Sequence, residues 1–199
     1  MKRLPRAKSR LFAAAAPDGV PGGREALALA LAVDTVTAAL ASPVVARVVV
    51  VTDDEQAADR LERAGAVVVP DRPDAGLNPA LAYGAAAAAR LGTEDGVAVL
   101  ASDLAALRPD ELTGALQAAA AMPRSFVADA SGQGTTLLAA VPGAELAPRY
   151  GVASRQAHLD SGAVELQGDW PSLRRDVDTP DDLQAATRLG IGAATRALL

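Results

Sequence analysis

The chain has 199 residues and a mass of 20.1 kDa, enough for one domain that buries a core without disulfides or structural metals. Half of the residues are apolar and 22% are charged, which excludes a disordered chain, and a net charge of -5 with a pI near 4.9 argues against binding to nucleic acid or an anionic membrane. Zero Cys and a single His, His158, exclude disulfides, thiolate zinc sites, cysteine nucleophiles and multi-histidine metal centres, leaving carboxylates, hydroxyls, Lys/Arg and backbone for any chemistry.

Both lysines, Lys2 and Lys8, fall within the first ten residues together with Arg3, Arg6 and Arg10, and no acid lies among them. The rest of the chain uses only arginine as its cation. The apolar stretch that follows, residues 11–16, is cut short by Pro17-Asp18-Gly19, so neither a signal peptide nor a membrane span is expected and the protein reads as cytoplasmic.

Strand and helix patterns alternate from residue 24. Residues 24–41 predict a helix of good formers ended by Ser42-Pro43. Residues 44–51 form a β-branched run too continuous for a half-exposed strand, which predicts a strand buried on both faces of a parallel sheet. A helix over 55–64, a short strand over 67–69, a loop over 71–76 and a helix over 77–91 follow. Residues 97–101 predict a third buried strand, ended by Ser102-Asp103, and residues 109–121 a helix with Pro109 in its first turn. The rhythm then changes. Strands over 126–128 and 136–141 flank a Ser131-Gly132-Gln133-Gly134 turn, and a short helix over 151–159 precedes strand-like residues at 164–166 and 173–177. A last helix covers 180–189, with Thr179 placed to cap it. This order predicts one α/β domain, Rossmann-like in its first half and with a mixed sheet in its second.

In an open parallel sheet, ligands bind beyond the carboxyl ends of the strands. Asp103 falls there, after the apolar run 97–101, and its side chain is expected in the crevice. A second carboxylate site is Asp176-Val177-Asp178, where period-two alternation sets both acids on one face. Like charges so placed suit a hard, oxygen-seeking ion such as Mg²⁺. Turn and capping roles compete with both readings and account well for Thr179, Asp181 and Asp182. Residues 132–136 supply a Gly-rich turn, and 151–154 a helix start, each able to receive an anion. His158 lies four residues after Ser154, on the same helical face, although a lone histidine is more often structural than catalytic. Together these features suggest metal-assisted transfer of a nucleotidyl group to a small anionic acceptor.

At this point the order of segments resembles the CofC/FbiD family, the guanylyltransferases of coenzyme F-420 biosynthesis. The matching residues are Lys2 with Ala7-Lys8-Ser9-Arg10-Leu11, Gly76-Leu77-Asn78 with Ala80-Leu81, Ser102-Asp103-Leu104, Gly134-Thr135-Thr136-Leu137-Leu138, the Gly151/Ser154/His158 spacing, and Asp176-Val177-Asp178-Thr179-Pro180. They span almost the whole chain in order. The resemblance implies a GT-A-like nucleotidyltransferase fold that uses GTP and Mg²⁺, releases pyrophosphate, and attaches GMP to phosphoenolpyruvate or 2-phospho-L-lactate. It implies catalytic roles for Lys8, Arg10 and Asp103, and nucleotide contacts for Lys2, Lys8, Arg10, Gly76, Leu77 and Asn78. It further implies acceptor binding by Thr136, Gly151 and Ser154, and metal binding by Asp103, Asp176 and Asp178. The next transferase of the pathway is a candidate partner. Family members open with an apolar strand before the lysine matched by Lys2, whereas this sequence begins at Met1-Lys2, so either the start lies further upstream or the sheet lacks that strand. Tyr150 stands where Phe is usual and Ala105 where Pro is frequent. The Ala- and Arg-rich composition looks actinobacterial, and for such members the resemblance favours phosphoenolpyruvate.

The implied reaction needs no general base, because the acceptor phosphate is already ionised near neutral pH; positioning and charge neutralisation suffice. Molybdenum-cofactor and sugar-phosphate nucleotidyltransferases are the nearest alternatives, but Leu4-Pro5-Arg6-Ala7-Lys8 lacks the glycines of their first motif. A non-catalytic nucleotide-binding partner protein is the other.

Overall fold

In a computed structural model of the chain, residues 23–72, 74–92 and 95–199 are described. Lys2, Lys8 and Arg10 lie outside them.

Helix α1 (Gly23–Leu40) buries Leu27, Leu31, Leu29 and Val36, so its apolar residues face the interior on more than one side. Strand β1 (Val49–Val51) follows, then α2 (Glu55–Arg63), whose N-cap Asp54 accepts from the Ala57 N–H at 2.9 Å. Strand β2 (Val67–Val69) pairs parallel with β1, residue 49 opposite 67. The expected strand over 44–51 is therefore only three residues long and half-buried, with Val44 46% exposed. Its partner is also three residues long, and backbone beyond a partner has no ladder to join.

Helix α3 (Leu77–Leu91) begins after Gly76, whose φ of 102° lies where a side chain is strained. It packs closely on β1 at Gly84, where an added Cβ would stand 2.7 Å from Val51 Cγ2. That close approach explains a glycine in a run of helix-forming alanines.

Strand β3 (Val97–Leu100) does not join β1. It pairs antiparallel with β5 (Thr135–Ala140), which pairs antiparallel with β4 (Arg124–Ala128), and β4 pairs parallel with β6 (Val164–Glu165). The order is β3-β5-β4-β6, a mixed sheet beside the two-stranded β1-β2 ladder. Helix α4 (Pro109–Ala119), with Pro in its first turn as expected, covers this sheet through Leu112, Ala115 and Ala119. Helix α5 (Ser154–Asp160) opens at Ser154, not at residue 151, because Gly151 (φ 145°) and Ala153 (φ 54°) turn the backbone away from helical geometry.

The strand expected over 173–177 is absent. Residues Pro171–Arg174 form a single helical turn, α6, and 175–179 run irregularly into α7 (Pro180–Leu189). Two prolines at helix starts, Pro171 and Pro180, bracket this stretch and leave no room for a ladder. Thr179 caps α7 in a reciprocal box with Asp182. A short α8 (Ala193–Arg196), not foreseen in the sequence, is stapled to α1 by buried Asp34, whose two oxygens accept from the Ala194 and Thr195 N–H groups at 2.9 and 2.8 Å. Among the described residues no helix is long and apolar enough to cross a membrane.

Candidate active site

Asp103 is fixed by its neighbours. The Leu104 N–H donates to Thr35 Oγ1 of α1 at 3.0 Å, and that hydroxyl donates in turn to the Leu31 carbonyl. The Asp103 carbonyl accepts from the Val177 N–H at 3.2 Å. Val177 is fully buried in a cluster with Leu27, Leu31 and Ala106, so its anchoring carries the acids on either side of it to the end of β3. Asp176 and Asp178 thus reach Asp103 without the strand geometry expected of them.

The arrangement crowds like charges. Asp176 is pushed up to about 7, first by burial and then by the carboxylates of Asp103, Asp129 and Asp178. Asp129 is an addition that spacing did not single out. It ends β4, and its carboxylate accepts from Ser131 Oγ and the Gln133 N–H, shaping the Gly-rich turn between β4 and β5. Asp followed two residues later by Ser and Gly is a turn signature, and that was the available signal. Among the described residues no three His, Asp or Glu side chains converge closely enough to hold an ion by themselves.

A cavity of about 770 Å³ opens on two of these acids, Asp103 and Asp178. Every residue of 44–51 on one side and every residue of 96–103 on the other borders it. A cavity facing one side of a sheet would meet alternate residues, so unbroken runs mean that it lies between the strand edges of β1 and β3. Asp103, Asp178, Leu77, Thr135 and Tyr150 share its wall.

The expected acceptor-binding residues are placed unequally. Gly151 is exposed, and Ser154 is buried at the start of α5. Thr136 is fully buried, with its hydroxyl directed to the Val127 carbonyl at 3.5 Å, and it is Thr135 that borders the cavity. The Gly-rich turn is tied to α5, since the Arg155 N–H donates to the Gln133 carbonyl at 3.1 Å. Of the residues expected near the nucleotide, Leu77 is 46% exposed and lines the cavity, while Asn78 bonds to the backbone of Tyr150.

His158 is structural. Its Nε2 stands 3.0 Å from the Arg149 N–H, and since an amide can only donate, that nitrogen carries a lone pair and the ring is neutral. Nδ1 then holds the proton, 2.9 Å from Thr135 Oγ1. The ring is fully buried between Phe126 and Tyr150. Burial first, and then the charges of Arg124 and Arg149, lower its pKa to about 4.

Residues 30–173 match the MobA-like NTP transferase domain. Proteins named phosphoenolpyruvate guanylyltransferase from Geodermatophilus obscurus, Salinispora arenicola and Streptomyces coelicolor are 55%, 57% and 54% identical to this chain. Each alignment covers 100% of the chain and 90%, 90% and 92% of the respective relative. Among solved structures, one described as a nucleotide-diphospho-sugar transferase from Desulfovibrio desulfuricans superposes with a TM-score of 0.64 at 15% identity, over 96% of this chain and 84% of that one. A CMP:2-keto-3-deoxy-manno-octonic acid synthetase complexed with CTP superposes with a TM-score of 0.53 at 17% identity, over 91% and 92%. The two structures share the fold. With a domain match over most of its length and full-length relatives above half identity, the chain belongs to the MobA-like NTP transferase family, in its phosphoenolpyruvate guanylyltransferase branch.

Proposed function

We propose that this chain transfers GMP from GTP to phosphoenolpyruvate and releases pyrophosphate, as a cytoplasmic step of coenzyme F-420 biosynthesis whose product passes to the next transferase. The observation that carries the reading is the shared cavity, whose wall holds Asp103 and Asp178 together with Leu77, Thr135 and Tyr150.

In the reaction an oxygen of the acceptor phosphate attacks the α-phosphorus of GTP in line, and the bond from that phosphorus to the bridging oxygen of the β-phosphate breaks, with pyrophosphate departing. Asp103, Asp176 and Asp178 would hold Mg²⁺, which neutralises phosphate charge when bound. The donor set fits, because Mg²⁺ takes one or two carboxylates and completes its shell with phosphate and water, and the mutual repulsion around Asp176 is relieved by a cation. Gly76 and Leu77 approach the guanosine. Gly151 and Ser154 orient the acceptor, with Thr135, which borders the cavity, standing beside the buried Thr136 expected in that role. Lys8 and Arg10, with Lys2, supply positive charge to the triphosphate, a task for which a flexible ammonium is suited.

The test is pyrophosphate release from GTP and Mg²⁺ with phosphoenolpyruvate and 2-phospho-L-lactate in competition. The relatives' name favours phosphoenolpyruvate, and because the two acids differ at C2 by little more than a methyl group's shape, a preference of roughly ten- to two-hundred-fold is the most that shape alone supplies. A product derived mainly from 2-phospho-L-lactate overturns the acceptor. Calorimetric binding of GTP without pyrophosphate release in the presence of either acid overturns the enzyme and selects a nucleotide-binding partner protein.

A further inference from the structure

Asn78 is the second residue of α3, directly after the Gly76-Leu77 pair expected at the nucleotide. Its side-chain amide is engaged elsewhere. Oδ1 accepts from the Tyr150 N–H at 2.7 Å, and Nδ2 donates to the Tyr150 carbonyl at 2.9 Å. One planar amide therefore satisfies both polar groups of a backbone residue 72 positions away, as a neighbouring strand would.

The bond falls at a junction. The preceding N–H, that of Arg149, is held by His158, and the Tyr150 hydroxyl donates to the Val99 carbonyl at 3.4 Å. Beyond Tyr150 the chain passes through Gly151, with φ at 145°, and Val152, which is 98% exposed, before it is buried again at Ser154. Asn78 thus grips the last anchored backbone residue before Gly151.

We infer that Asn78 is a positioning residue of the acceptor half-site: by pairing with Tyr150 it sets where the Gly151 backbone meets the three-carbon phosphoacid. This rests on the reading of Gly151 and Ser154 as acceptor-binding residues. It departs from the family resemblance, which sets Asn78 against guanosine. The same side chain fastens the start of α3, where the nucleotide is expected, to the loop that receives the second substrate. Small displacements matter in such a site, since a misplacement of about 1 Å costs as much as roughly a hundredfold in the efficiency with which the bound group is used.

The experiment uses Asn78→Ala and Asn78→Asp in the full chain. Initial rates of pyrophosphate release are measured with phosphoenolpyruvate varied at saturating GTP and with GTP varied at saturating phosphoenolpyruvate, alongside calorimetric titration with Mg²⁺-GTP. In the Ala variant the KM for phosphoenolpyruvate is expected to rise about tenfold or more, with KM and Kd for GTP unchanged. Asn78→Asp keeps an oxygen for the Tyr150 N–H but turns a carboxylate oxygen toward the Tyr150 carbonyl, so it shows the same split and decides the matter if the Ala variant does not fold. A rise confined to the GTP constants overturns the inference and returns Asn78 to the nucleotide. Loss of melting temperature and kcat with both KM values unchanged overturns it in favour of a purely structural role. A wild type that releases no pyrophosphate overturns the functional reading and the inference together, whereas the other two outcomes leave that reading intact.

Discussion

Acidification below neutrality should loosen the wall that holds Tyr150, and the group responsible is His158. Its ring is neutral in the folded chain because Nε2 must receive the Arg149 N–H, and it has no exposed edge through which water could solvate a charge. The guanidinium groups of Arg124 and Arg149 add repulsion. With its pKa lowered from 6.5 to about 4, the folded chain binds this proton less readily than the unfolded chain does. The sign follows from linkage: the stabilisation is complete above pH 6.5 and is lost as pH falls toward 4, where the unfolded state holds more protons. Two and a half pH units at 1.36 kcal/mol each correspond to about 3 kcal/mol. Urea denaturation of the wild type and His158→Gln, repeated from pH 7.5 to pH 4, measures it. The variant lacks the titrating ring and starts about 1–3 kcal/mol less stable, from poorer bonds to Arg149 and Thr135. Its deficit should shrink steadily on acidification as the wild type loses what the variant never had. A difference between the two proteins that is constant with pH would refute the assignment of a neutral buried ring.

Asp34→Ala removes the acceptor of two backbone N–H groups at the start of α8 and should cost about 3 kcal/mol in chemical denaturation, with activity per folded molecule unchanged. Asp176→Asn should abolish most pyrophosphate release while leaving the melting temperature equal or higher, because it relieves repulsion from Asp103, Asp129 and Asp178; near-normal turnover at limiting Mg²⁺ would contradict the metal role. Ala153 occupies the left-handed region at φ 54°, so Ala153→Gly should raise stability by about 0.5–1 kcal/mol, and a loss on denaturation would show that its Cβ makes a contact worth more than the strain.

Local rules reached far into this fold where short-range chemistry decides the outcome. The α3 boundaries and the Thr179 cap follow from Gly76, Pro180 and the acids behind them, and both appear as expected. Residues 44–51 misled because a β-branched run reports a preference for extended backbone, whereas strand length depends on a partner, and β2 offers only three residues. Asp176 and Asp178 were legible as a pair for the wrong reason. Their placement depends on Val177 being pulled into the core and bonding to Asp103, a contact between segments more than 70 residues apart. Asn78 was legible only as a member of a motif. That its amide spans to Tyr150 is tertiary information, absent from any window of the sequence around it.

Among the described residues no ladder of hydrogen bonds joins β1-β2 to β3-β5-β4-β6, and helices α1 and α3 each pack against both. Ala39 of α1 packs in the cluster under β4 and β5, Leu29 and Val36 in the cluster with α2, and Leu27 and Leu31 in the cluster with Val177 and α7. Amide protons should report the difference in ladder length and burial between the two sheets as different lifetimes. The amides of Phe126, Val127, Leu137 and Leu138, inside a ladder and fully or almost fully buried, should exchange only on global unfolding. Those of β1 and β2, in a ladder only three residues long, should exchange through a cheaper opening that leaves the larger sheet intact.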